Sequence, residues 1–151
     1  MKILLPIDGS PAALEAVMFA IRLAGDGLNT TAVLANVQEH ASLYELMVAH
    51  DPQVIEQVSA DAGANILKPA QALLQDAGIA FESEVAIGDP AHTLVDILEN
   101  YGCDLVVMGA RGTSTLRSAL MGSVSNELLH AAGVPVMIVK SKQDADAEID
   151  G

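Results

Sequence analysis

The chain has 151 residues, 51% of them hydrophobic and 18% charged, with 20 acidic side chains against 7 basic ones and a net charge of −13. That length suits one hydrophobic core, while the charge argues against a duplex DNA or RNA partner and against anionic membrane surfaces. With two Phe, two Tyr and no Trp, Val, Ile, Leu, Met and Ala must fill the interior, as is common where helices cover both faces of a parallel sheet.

The first continuously apolar run, Lys2–Ile7, reads as a buried strand and ends in Pro6-Ile7-Asp8-Gly9-Ser10. Ser10-Pro11 then starts a helix whose Leu14, Val17, Met18, Ile21 and Ala24 fall on one face. Thr31–Val37 is the second strand. The least regular stretch runs from Gln38 to His50, where Leu43, Tyr44, Leu46 and Met47 fit a short helix beside a ligand. Asp51-Pro52 opens a second long helix with Ile55, Val58, Ala62, Ile66 and Leu73 inward, and Pro69 is expected to kink or interrupt it. The third strand, Ala80–Ile87, leads through Gly88-Asp89-Pro90 into a helix marked by Leu94, Val95, Ile97 and Leu98.

Gly102 reads as that helix's C-terminal cap. Cys103–Met108 is the fourth strand; Cys103 is the only cysteine, so an intrachain disulfide is excluded and a small buried thiol is expected. Val124, Leu128 and Leu129 mark the fourth helix, Gly133 its cap, and Val134–Lys140 the last strand. Beyond it Asp144, Asp146, Glu148 and Asp150 read as a frayed, solvated tail over 141–151, after a domain of 1–140. Three helix starts share a small polar residue followed by proline, which suits capping of free N–H groups and the first helical position. The strand–helix alternation predicts a single doubly wound, Rossmann-like α/β domain. Its five-stranded, mostly parallel sheet has the expected order 3-2-1-4-5, with four helices on both faces.

Chemistry concentrates after the fourth strand, in Gly109-Ala110-Arg111-Gly112, nine residues, then Gly122-Ser123-Val124-Ser125. Glycines let backbone N–H groups approach anionic oxygens, Ser123 and Ser125 add hydroxyls, and the helix start attracts negative charge. Arg111 and Arg117, two of only seven basic residues, fall in the same loop. The pattern predicts an anion site. A Gly-x4-Gly-Lys-Ser/Thr loop and a Gly-x-Ser-x-Gly elbow are both missing, and no catalytic group is assigned. His40, His50, His92 and His130 have no metal-ligand spacing.

Gly-x2-Gly-x9-Gly-Ser, joined to Pro-Ile-Asp-Gly-Ser after the first strand, resembles the universal stress protein family from Lys2 to Lys140. In nucleotide-binding members the loop holds ribose and phosphates, the Asp after strand one meets the nucleoside or a metal-linked network, and the end of strand two borders adenine. Carried over residue by residue, the resemblance implies a site of Pro6, Ile7, Asp8, Val37, Met108, Gly109, Arg111, Gly112, Gly122, Ser123, Val124 and Ser125. It also implies ATP, or ADP or AMP, with magnesium held through the phosphates and Asp8 as the candidate protein ligand. A homodimer paired through Val134–Lys140 is a further implication, since an apolar edge strand wants a partner. The expected function is a nucleotide-dependent dimeric switch in the stress response. With no leader-like stretch in MKILLPID and no membrane span, its expected location is the cytoplasm. Two alternatives stand: an adenine-nucleotide α-hydrolase-like enzyme with slow ATP hydrolysis or adenylation, and a nucleotide-free dimerisation module.

Overall fold

A computed structural model of the protein describes residues 1–39, 52–110 and 122–140. The expected short helix over Leu43–Met47, the Asp51 cap and the acidic tail lie outside the described residues. Among the described residues five strands and four helices alternate: β1 (Lys2–Pro6), α1 (Pro11–Gly25), β2 (Thr31–Gln38), α2 (Pro52–Asp76), β3 (Phe81–Ile87), α3 (Pro90–Tyr101), β4 (Leu105–Gly109), α4 (Ser123–Ala131) and β5 (Val136–Val139). The sheet order is β3-β2-β1-β4-β5, as expected, and every neighbouring pair is parallel. The chain winds outward from β1 to β3, crosses back, and continues through β4 to β5. Crossovers of one hand therefore place α1 and α2 on one face and α3 and α4 on the other.

Two clusters follow from the period-two alternation of strand side chains. Ile3, Leu5 and Leu34 pack under α1 and α2, whereas Leu4, Val33, Val106 and Met108 pack under α3 and α4. The last two strands are shorter than their apolar runs. Cys103 donates its backbone N–H to Leu98 O at 2.9 Å and so closes α3, together with Gly102 in the left-handed conformation at φ 65°. Pro135, which has no N–H, precedes β5 and contributes only its carbonyl, accepting from Val106 at 3.0 Å. The C-terminal cap of α4 is Ala132 in extended conformation rather than Gly133.

Helix faces differ from the apolar count in an instructive way. The inner face of α1 is Ala13, Ala16, Val17 and Ala20, and Met18 is left 48% exposed. On α2 the buried stripe is Ile55, Ser59, Gly63, Leu67, Ala70 and Leu74, while Val58 points outward. Gly63 explains the rotation: a Cβ there would lie 2.3 Å from Val85 Cγ1, so the helix backbone approaches β3 too closely for any side chain. Pro69 does not interrupt α2, which is continuous from Pro52 to Asp76. Both Pro69 and Asn65, whose carbonyl loses its N–H partner, are exposed, and water can take that bond.

Cys103 is buried, as expected for a small apolar-packed thiol. Burial pushes its titration above the ordinary thiol range, and Lys2 offsets only part of that. The native thiol is therefore expected to resist a disulfide-exchange reagent at pH 7.5 and to react fully once urea unfolds the chain. Prompt stoichiometric labelling of the folded protein would contradict this.

Candidate functional site

The site forms where the winding reverses, at the carboxyl ends of β1 and β4. Beyond β1 the chain holds to its neighbour for one more step, with Ile7 N donating to Ala35 O at 2.8 Å. Asp8 Oδ1 then accepts from Ser10 N at 2.9 Å, closing an Asx turn over Gly9, whose φ of +89° favours glycine. The α1 cap is Ser10 itself, its hydroxyl oxygen accepting from Ala13 N at 3.3 Å. Asp8 thus shapes the turn before the helix, and its side chain remains exposed at the strand end.

The other half comes from β4 and α4. Gly109 has a packing reason to be glycine besides any approach to a ligand. A Cβ would fall 2.8 Å from Ala12 Cβ and 2.9 Å from the Ala12 carbonyl, because the first turn of α1 rests on the end of β4. Ala110 bridges outward, its N–H donating to Val139 O at 3.1 Å and its carbonyl accepting from Gly122 N at 2.9 Å. Ser125 is buried, and its hydroxyl donates toward Gly109 O at 3.1 Å and Ala110 O at 3.2 Å. That proton is engaged by the protein, so Ser125 pins the two sides of the loop together. At α4 the N-cap is Gly122, with no side-chain cap, whereas Ser10 and Asp89 cap α1 and α3. The first-turn N–H groups of α4 thus face a position that, among the described residues, no capping side chain fills.

Between these halves lies a cavity of about 250 Å³. Pro6, Ile7, Asp8, Val37, Met108, Gly109, Gly122, Ser123, Val124 and Ser125, all drawn from the sequence expectation, line it together. Arg111 and Gly112, and likewise Arg117, His40 and His50, lie outside the described residues. Ser10, Ala13, Ala35, Glu39, Pro90 and Leu94 also line the cavity and were missed. Ala35 sits two positions before Val37 on the same strand face, a period-two signal that points to it. Pro90 and Leu94 come from the first two turns of α3, which arrives by a crossover that no local pattern reveals.

The walls are mainly apolar, and the charged side chains among the described lining residues are Asp8 and Glu39. Among the described residues no group of three or more His, Cys, Asp or Glu is arranged to hold a metal ion. No described helix is long and apolar enough to cross a membrane.

These features meet known proteins at the level of the whole domain. A sequence profile described as the universal stress protein family matches residues 1–140. Universal stress protein MJ0531 of Methanocaldococcus jannaschii is 30% identical over 139 residues, covering 92% of this chain and 81% of the relative. The solved structure of the hypothetical protein MJ0577, from the same organism, superposes with a TM-score of 0.78 at 26% identity, over 93% of this chain and 96% of that one. A universal stress protein solved in complex with cAMP superposes with a TM-score of 0.66 at 26% identity, over 93% and 96% of the two chains. The parallel sheet and its strand order agree with these solved structures, and with the family profile spanning residues 1–140 the chain belongs to the universal stress protein family.

Proposed function

We propose that this protein binds an adenine nucleotide in the cavity between β1 and β4 and acts as a cytoplasmic, nucleotide-dependent regulator in the stress response. The observation that carries the reading is the cavity's composition: an apolar pocket at the switch point with the side-chain-free N-cap of α4 on its wall. Val37, Met108, Ala35 and Leu94 suit a flat, apolar base. Ser123 and Val124 offer backbone N–H groups and one hydroxyl to phosphate oxygens, beside a Gly122 with no side chain to block their approach. At about 250 Å³ the cavity is smaller than the ~300–1,000 Å³ of pockets that enclose drug-sized ligands. It therefore takes the nucleoside end and lets the phosphates run out over the glycines. The cAMP held by a relative at 26% identity supports the same ligand class.

In this reading 1–140 is the binding domain and 141–151 an acidic tail. Arg111 and Gly112 complete the phosphate cradle, and Arg111 supplies positive charge that offsets Asp8 and Glu39. Magnesium arrives with the phosphates, with Asp8 as its candidate protein ligand. The regulatory output is dimerisation through the last strand. The β5 edge carries Val136–Val139, half-buried and uncharged, whereas the opposite edge, β3, is guarded by Glu82 and Glu84. No group is assigned to attack a phosphate, and efficient hydrolysis is not part of the proposal.

Calorimetric titration of the full chain with MgATP, AMP and cAMP tests it. At least one is expected to bind with a dissociation constant between ~1 μM and ~1 mM. Absence of binding by all three at millimolar concentration sinks the reading.

A further inference from the structure

The turn that presents Asp8 is held from behind by a residue that does not line the cavity. Asn36, in β2, is only 3% exposed. It follows Ala32 and Leu34 on the face covered by α1 and α2, where an aliphatic residue would continue the stripe. A buried amide is costly there unless it is paired, and it is paired. Its Nδ2 donates to Ile7 O at 2.8 Å, and its Oδ1 accepts from Gln38 Nε2 at 2.7 Å. The backbone carbonyl of Gln38 in turn accepts from Gly88 N at 3.0 Å, which joins the end of β3 to the same network. From above, α2 closes over the amide: a Cβ on Gly63 would come 3.0 Å from Asn36 Oδ1.

The acceptor is what gives this arrangement meaning. Ile7 lies just past the β1–β2 register, which ends at Pro6↔Ala35. The carbonyl of Ile7 belongs to the peptide plane that leads into Asp8. Holding that plane sets the direction in which Asp8 leaves the strand, before the Ser10 N–H closes the turn. We propose that Asn36 is a positioning residue for nucleotide binding, orienting the Ile7–Asp8 peptide and reaching the ligand through Asp8. The inference rests on the nucleotide-binding reading above and adds to it a residue that never touches the ligand.

The test titrates MgATP into the full chain and into N36D, Q38A, D8A and the N36D/D8A double variant, at a temperature where each is shown to be folded. N36D keeps the size and the acceptor for Gln38 but turns an oxygen toward Ile7 O. About tenfold weaker binding is expected for N36D, and about threefold for Q38A, which leaves Asn36 present but unanchored. Because Asn36 acts through Asp8, N36D is expected to change affinity by less than about twofold in the D8A background. Wild-type binding matched by N36D overturns the inference alone. So does an N36D loss undiminished by D8A, which marks a general effect on the fold. If N36D does not fold, Q38A decides, and unchanged affinity overturns the inference. A wild-type chain that does not bind MgATP overturns the inference together with the reading beneath it.

Discussion

Gly63→Ala is expected to destabilise the protein by about 2–3 kcal/mol, an overpacking cost at the α2–β3 contact. The helix argues the other way, since alanine is favoured over glycine in a helix interior by ~1 kcal/mol. Sterics win because the added atom has nowhere to go: it would stand 2.3 and 2.8 Å from the two Val85 methyls and 3.0 Å from Asn36 Oδ1. Valine has one torsion and a stiff preference for it, so its methyls cannot swing aside as a long side chain could. Asn36 cannot yield without loosening its bonds to Ile7 O and Gln38. A fall of ~5–10 °C in Tm follows for a domain of this size, measurable by urea or thermal unfolding. Val85→Ala removes both methyls that clash, so the double variant is expected to be more stable than the sum of the two single effects by ~1 kcal/mol or more. Wild-type stability in Gly63→Ala would show that the helix lies farther from the sheet than the geometry gives.

The same contact marks how far the sequence could be read. Sheet order, parallel pairing and element sequence were legible because buried strands are unbroken apolar runs and because Ser10-Pro11 and Asp89-Pro90 state where helices start. Helix rotation was not legible. A count of large apolar residues puts Val58 and Met18 inside, whereas the protein buries Ser59, Gly63, Ala13 and Ala20 and leaves the larger neighbours at the surface. Close packing selects small residues where backbones approach, and only the approach distance, a tertiary quantity, reveals which they are. The site divides in a similar way. Cavity-lining residues at the strand ends and at the start of α4 belong to contiguous motifs and could be named in advance. Pro90 and Leu94 reach the cavity from another crossover, and Asn36 acts from behind the wall, so neither has a local signature. Gly109 lines the cavity, but its packing on Ala12 is invisible in a phosphate-loop pattern.

Ser123→Asp separates the binding role of the loop from its structural role, because the two respond with opposite signs. Ser123 is exposed, is the first residue of α4 after the Gly122 cap, and lines the cavity. The first turn of α4 contains no acidic residue. A carboxylate there interacts favourably with the helix N-terminus by ~0.3–1 kcal/mol and can satisfy free N–H groups. Thermal stability of the unliganded protein is therefore expected to stay level or rise by a few degrees. Nucleotide binding is expected to fall by about a hundredfold or more, since the new charge takes the N–H groups that a phosphate would use and repels the phosphate itself. Asp8 and Glu39 already make the described lining anionic, so a third carboxylate meets no compensation from those residues. Salt should recover only part of the loss, because screening weakens the repulsion but does not free the N–H groups. Ser123→Ala serves as the control: it removes a hydroxyl without adding charge and is expected to cost only about threefold to tenfold in affinity. A stable Ser123→Asp protein that binds MgATP as tightly as wild type would place the phosphates away from α4 and leave the loop a structural element alone.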